Sequence, residues 1–221
     1  MKPSNAKKID FADLFSKSNK QDERFFSKSL VNVHEFYLCG DIESADEYIQ
    51  WFDTIRHSSE TDVIKIYINS YGGDVFTAIQ FMRALKETSA TVVMSVEGAC
   101  MSAATMIFLC GDSFEVSEHS AFMIHTYSGG MIGKGHEMHS QAQYERLWSI
   151  NLIKEVYEGF LTEAEIQKVI DGADMWMDGD EVVKRLEEMK AKMDKEAESE
   201  EVAEPAKPAP KQRKPKETAE K

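Results

Sequence analysis

The chain has 221 residues, 42% of them hydrophobic, and a formal net charge of −13; that suffices for one well-cored domain and not for two large ones. From Ala191 to Lys221 eight basic residues balance eight acidic ones, so residues 1–190 carry the whole deficit, 18 basic against 31 acidic. A body that acidic repels phosphate backbones, which argues against nucleic acid as a partner, and no uncharged apolar run is long enough to span a membrane.

In chain order, residues 1–31 form an N-terminal arm. Lys2, Lys7, Lys8, Asp10, Asp13 and Lys17 break it up, so it does not read as a signal peptide. Phe36 to Cys39 predicts a short strand, and Ala45 to His57 a helix. Val63 to Asn69 (VIKIYIN) is rich in β-branched and aromatic residues and predicts a strand. Val75, Ile79, Met82 and Leu85 then repeat at helical spacing. Thr91 to Val96 is nearly all apolar, as suits a strand covered on both faces. These three elements make a strand–helix–strand crossover, which is nearly always right-handed. Ser102 to Cys110 carries no charge and predicts a buried helix, and Ala121 to Ile124 a buried strand.

His136 to Phe160 predicts one long helix. Thr162 with Glu165 is a capping box that opens a further helix through Ile170. The body is thus α/β and ends near residue 190. Residues 191–221, charged and Pro-containing with almost no large apolar residue, predict a disordered tail. Cys39, Cys100 and Cys110 lie in apolar stretches and read as buried free thiols, which fits a cytoplasmic protein.

Four features call for a common explanation. Gly72 and Gly73 end the first strand of the crossover, Ser102 opens an apolar helix, His125 ends a buried strand, and Asp174 follows a helix. Taken singly, these are a turn, an N-cap, a core histidine and a solvated carboxylate. In a mostly parallel sheet, however, strand ends and helix starts gather at one edge, where crevices form. A serine, a histidine and two glycines at such an edge supply a nucleophile, a base and backbone amides that can come close to a substrate. His136 and His139, three apart, lack the His-Glu-x-x-His spacing of a zinc site and read as a solvated helix face. No metal and no cofactor is expected. Met123, Met175 and Met177 are candidates for lining a substrate groove.

The stretch from Asn32 to Glu188 resembles the proteolytic subunit of the Clp protease family. Ile68-Asn69-Ser70-Tyr71-Gly72-Gly73 is similar to its Ile-Asn-Ser-Pro-Gly-Gly motif, with Tyr71 in place of proline. Gly98 to Ser102 falls on the nucleophile segment, Met123-Ile124-His125 on the Met-Ile-His motif, and Ala173 to Met177 on the Arg-Asp-aromatic segment. The resemblance implies the crotonase-like fold of repeated strand–strand–helix units with a protruding handle helix. It implies a Ser102–His125–Asp174 triad and an oxyanion hole made by the N–H groups of Gly73 and Ala103. Glycine lets an amide approach closely, and the first turn of a helix offers an unpaired N–H and a favourable dipole.

The function so implied is a serine endopeptidase working inside a homo-oligomeric chamber of stacked rings, on protein or peptide substrates. The long helix would interdigitate between the rings and help align His125 with Asp174. An AAA+ unfoldase is the partner this family implies, although neither arm nor tail carries a motif for it. A phage-type protease that matures capsid or scaffold proteins has the same fold and is the second reading. An inactive ring subunit is a third. An enoyl-CoA hydratase-like enzyme, which needs two backbone amides and no triad, is a fourth.

Overall fold

The computed structural model describes residues 31–203. Six strands form one mixed sheet in the order β1 (Val33–Ile42), β2 (Val63–Gly73), β3 (Thr91–Met101), β5 (Ala121–Ile124) and β6 (Met175–Asp178), with β4 (Ser113–Val116) also on β3. All pairings are parallel except β5–β6, which is antiparallel. β3 is long enough to pair twice: Val93 to Val96 lie against β4, and Ala99 to Met101 against β5. A 3-10 turn (Ala45–Tyr48) leads into α1 (Ile49–His57), α2 (Val75–Glu87) crosses from β2 to β3, and α3 (Ala103–Phe108) follows β3. The mixed α/β architecture is the expected one, and it places the ends of β2, β3 and β5 together.

Periodicity explains which face is covered. Ile64, Ile66, Ile68 and Ser70 of β2 alternate inward, and they join Phe52, Ile55, Phe81 and Ile107 in one buried core. The other face is partly covered: on β3 Ser95 is buried and Val93 half-buried, as the expectation of a strand covered on both sides has it. There Tyr37 stacks on Tyr67 at 4.7 Å between ring centroids, and Lys65 pairs with Glu115 at 2.8 Å. Cys39, on β1 at the edge of this side, is exposed, so only Cys100 is a fully buried thiol and Cys110 is half-buried.

The polar residues around the glycine motif repair breaks in the sheet. Register slips between Ile68 and Ser70, and there the Ala99 N–H donates to Asn69 Oδ1 at 3.0 Å. A Cβ on Gly98 would stand 2.7 Å from that same oxygen, so a side chain there would displace the Asn69 amide. Ser70 Oγ, fully buried, accepts from the Gly72 N–H at 3.1 Å. Asp74 caps α2 by accepting the Thr77 N–H at 2.7 Å.

Beyond β5, helix α4 (Gly135–Tyr157) is about 35 Å long at 1.5 Å per residue. Ser149, Ile153 and Tyr157 are its buried residues. The half before Ser149 leaves Tyr144 and Leu147 more than 60% exposed. The expected capping box at Thr162 and Glu165 opens α5 (Glu163–Ile170). Helix α6 (Gly179–Ala203) runs past Ala191, so the expected tail boundary falls within a helix. No helix among the described residues is long and apolar enough to cross a membrane.

Arg185 of α6 ties these last helices together. It donates to both oxygens of Glu165 at 3.0 and 2.8 Å and to Glu181 at 2.6 Å. The guanidinium holds the Glu165 carboxyl down at about 2. A carboxyl depressed in the folded state stabilises above its unfolded value of about 4.5 and loses that contribution as pH falls toward 2. Glu165→Gln should therefore cost about 1–2 kcal/mol at neutral pH. It should also flatten the fall in melting temperature between about pH 4.5 and 2. Thermal unfolding of both proteins across that range measures it.

Candidate active site

Ser102 is held in a conformation that few side-chain-bearing residues adopt. It is the only described non-glycine residue at positive φ (53°, with ψ −128°), a region that costs on the order of 1–3 kcal/mol. The sharp bend between β3 and α3 imposes it, as in a nucleophile elbow. The Ser102 side chain does not cap its helix, so the ordinary N-cap role is not the reason a serine stands here. Its N–H donates to the Met123 carbonyl of β5 at 2.7 Å, and its carbonyl accepts the Thr105 N–H at 2.9 Å.

The next pairing step along the sheet brings in the base. Met101 lies opposite Met123, and His125 follows β5 directly. Its Nε2 is 2.7 Å from Ser102 Oγ. With the ring proton on Nδ1, Nε2 accepts from the serine hydroxyl, the arrangement a general base requires. Both residues are half-buried at the rim of a cavity of about 320 Å³ that Gly73 and Ala103 also line.

Asp174 is brought near but not joined. In the β5–β6 ladder Ile124 faces Met175, so one further step of the same register sets Asp174 opposite His125. Directly opposed residues on antiparallel strands have Cα atoms about 4.5–5.5 Å apart. Yet the Asp174 side chain is exposed and has no hydrogen-bond or ion-pair partner among the described residues. Of the three expected triad members, Ser102 and His125 are in contact, and Asp174 directly precedes the strand that pairs with β5.

The two glycines have different duties from the single one expected of Gly73. A Cβ on Gly73 (φ +150°) would overlap the Ile42 carbonyl of the neighbouring strand, so that glycine is needed for the fit of β1 on β2. Gly72 (φ +101°) is the one that faces the nucleophile: its Cβ would stand 2.7 Å from Ser102 Cβ and 3.1 Å from the Ala103 nitrogen. The adjacent Gly-Gly pair gave no means of assigning these roles. Ala103 is buried at the first position of α3, where N–H groups lack helical partners. Because α3 has only six residues, the position of that N–H matters more than any helix dipole.

One wall of the cavity is apolar, formed by Met106 of α3 and by Trp148, Leu152, Ile153 and Val156 of α4, while Asp74, Ser128 and Ser149 add polar groups elsewhere in the lining. Phe76 of α2 stacks on Trp148 at 5.3 Å. Met106 is thus the methionine of the groove. Met123, Met175 and Met177 are in the β5–β6 pair and do not line it. His136 and His139 are exposed, and no three His, Cys, Asp or Glu side chains among the described residues converge as metal ligands would.

Gly72→Ala should destabilise the fold by about 1–3 kcal/mol, through strain at positive φ and overlap with Ser102. Gly129→Ala, with nothing within 4 Å of the added methyl, should change stability by less than about 0.5 kcal/mol. Denaturant unfolding of the two variants checks the contrast.

Comparison with known proteins identifies the family. The Clp protease family model matches residues 20–185. The ATP-dependent Clp protease proteolytic subunit of Pleurastrum terricola is 29% identical over 110 residues, which cover 48% of this chain. The match spans 56% of that relative's length, so the chain aligns with about half of it. With the family model matching three quarters of its length and the sheet built as described, the chain belongs to the Clp protease family.

Proposed function

We propose that the protein is a Clp-type serine endopeptidase, with Ser102 as nucleophile, His125 as general base and Asp174 as the group that orients the imidazole. The observation that carries this reading is the 2.7 Å contact between His125 Nε2 and Ser102 Oγ beside a strained serine at a helix start. His125 takes the serine proton as Oγ attacks the peptide carbonyl. The N–H groups of Gly73 and Ala103 stabilise the tetrahedral oxyanion. His125 then protonates the leaving amine, and water releases the acyl group. An acyl-CoA enzyme of related fold would have no use for the serine–histidine pair. The same proton-transfer scheme serves cellular proteins or the capsid and scaffold proteins of a phage, so the natural substrate stays open within the class.

The apolar far end of the cleft favours substrates with a large apolar residue on the acyl side of the cut. Trp148, Leu152 and Met106 gain most from covering such a side chain. Two features support an assembled active form. Asp174 comes one residue before the Met175–Ile124 pair and His125 one residue after it, yet the two side chains do not bond. The N-terminal half of α4 also exposes Leu147 and Tyr144, and Ile132 just before it is fully exposed. Packing of copies along this helix would cover the apolar residues and restrain the segment that carries Asp174. In this reading the copies form stacked rings, and an AAA+ unfoldase feeds them. Ile153 and Tyr157 already belong to the protomer's own core, so contact between copies falls to the earlier half of the helix.

Ser102→Ala should reduce hydrolysis of a fluorogenic peptide on the order of 10⁴-fold or more with an unchanged melting temperature. Full activity in this variant would refute the assignment, and loss of turnover together with folding would leave the triad without support. Leu147→Asp should dissociate the assembly and lower activity at unchanged protomer stability, read by sedimentation and peptidase assay on one sample. An active wild-type monomer would contradict the assembly reading.

A further inference from the structure

Tyr157, the last residue of α4, is buried and lines the catalytic cleft. Its hydroxyl is 2.7 Å from Thr105 Oγ1, a contact between residues 52 positions apart. Thr105, also buried, donates its only hydroxyl proton to the Ser102 carbonyl at 2.6 Å. A threonine hydroxyl has one proton to give. The direction of the chain is therefore fixed: Tyr157 O–H donates to Thr105 Oγ1, and Thr105 O–H donates to the Ser102 carbonyl. Burial pushes the Tyr157 phenol up from its ordinary value, which keeps the proton that the chain needs.

The Ser102 carbonyl is one end of the peptide group whose other end is the Ala103 N–H. No peptide in the described chain is cis, so in this planar unit the two bonds point in opposite directions. Fixing the carbonyl aims the N–H. Donation of hydrogen bonds to the carbonyl oxygen also draws electron density from the nitrogen and makes its proton a better donor, and chained hydrogen bonds reinforce one another. The Ser102 carbonyl receives two such bonds, from the Thr105 N–H and from its hydroxyl. They hold the one described non-glycine residue at positive φ.

We propose that Tyr157 and Thr105 are positioning residues for the oxyanion hole. Through the Ser102 carbonyl they aim and polarise the Ala103 N–H, and they tie that donor to the end of the long helix α4. The inference rests on the serine-peptidase reading. Neither side chain needs to touch the substrate. The Tyr157→Thr105→Ser102 chain should act on the transition state, where the oxyanion forms, and hardly at all on ground-state binding.

The test is steady-state peptide hydrolysis by the full chain and by Tyr157→Phe, Thr105→Val, Thr105→Ser and the Tyr157→Phe/Thr105→Val double variant. Affinity for a peptide aldehyde, whose hemiacetal oxygen occupies the oxyanion position, is measured alongside. Complete loss of an oxyanion donor lowers kcat about 10²–10³-fold; a donor that is loosened but kept should lose less. Thr105→Val should lower kcat at least about tenfold with KM within about twofold, and aldehyde affinity should fall in parallel. Tyr157→Phe should lower kcat by a smaller factor, about threefold to tenfold. The double variant should be no worse than Thr105→Val, because Tyr157 acts through Thr105. Thr105→Ser, which keeps the hydroxyl, should restore most of the rate.

An active parent whose Thr105→Val variant retains kcat and aldehyde affinity would overturn the inference and leave the peptidase reading standing, as would effects that multiply in the double variant. If Thr105→Val does not fold, Tyr157→Phe decides, since it removes one oxygen and keeps the ring; unchanged kcat and aldehyde affinity there would overturn the proposal. A folded, assembled parent with neither turnover nor fluorophosphonate labelling would overturn both readings together.

Discussion

The N–H of Ser102 reaches the Met123 carbonyl at 2.7 Å, and the geometry of the site follows from that bond. It extends the β3–β5 pairing one residue beyond Met101, into a serine that the bend to α3 forces to positive φ. With this residue held to β5, the side chain two positions beyond Met123 is His125, and its imidazole meets the serine hydroxyl. The strain is tolerated because both ends of Ser102 are tied down, by β5 at its amide and by Thr105 at its carbonyl. Gly72 leaves the space that this conformation needs, since any side chain there would enter the volume of Ser102.

Helix α4 gives the site its second half. Trp148, Leu152, Ile153 and Val156 form the apolar wall of the cleft, and Tyr157 ends the helix on the hydroxyl chain to Ser102. The same helix extends away from the body as a polar rod with Leu147 and Tyr144 uncovered. One element thus joins the exposed Leu147 and Tyr144, the apolar wall of the cleft, and the backbone of Ser102. Asp174 stands beyond α5, at the end of a four-residue antiparallel strand whose next register step is His125.

Strong periodicity made much of the fold legible. The isoleucines of β2, the 3.6-residue repeat of α2 and the Thr162–Glu165 box were readable because local pattern and tertiary environment agree there. β4 and β6 were not, since four residues such as Ser113–Val116 or Met175–Asp178 carry too little alternation to separate them from loop. What covers the second face of the sheet was hidden as well, because the tyrosine stack and the Lys65–Glu115 pair are contacts between strands distant in sequence. In the site, Ser102 and His125 were legible from motif and position. The duty of Gly72, the positive φ of Ser102 and the Tyr157–Thr105 contact were not, for they exist only once β2, β3 and α4 meet. Asp174 was legible as a residue near His125, but its exposed side chain was not.

The activation of Ser102 is open to direct measurement. Purified protein treated with a fluorophosphonate at neutral pH, digested and mapped by mass spectrometry should carry one adduct, on Ser102. An adduct on another serine, or an assembled and folded protein that takes up no label, would contradict a nucleophile built from the Ser102–His125 pair.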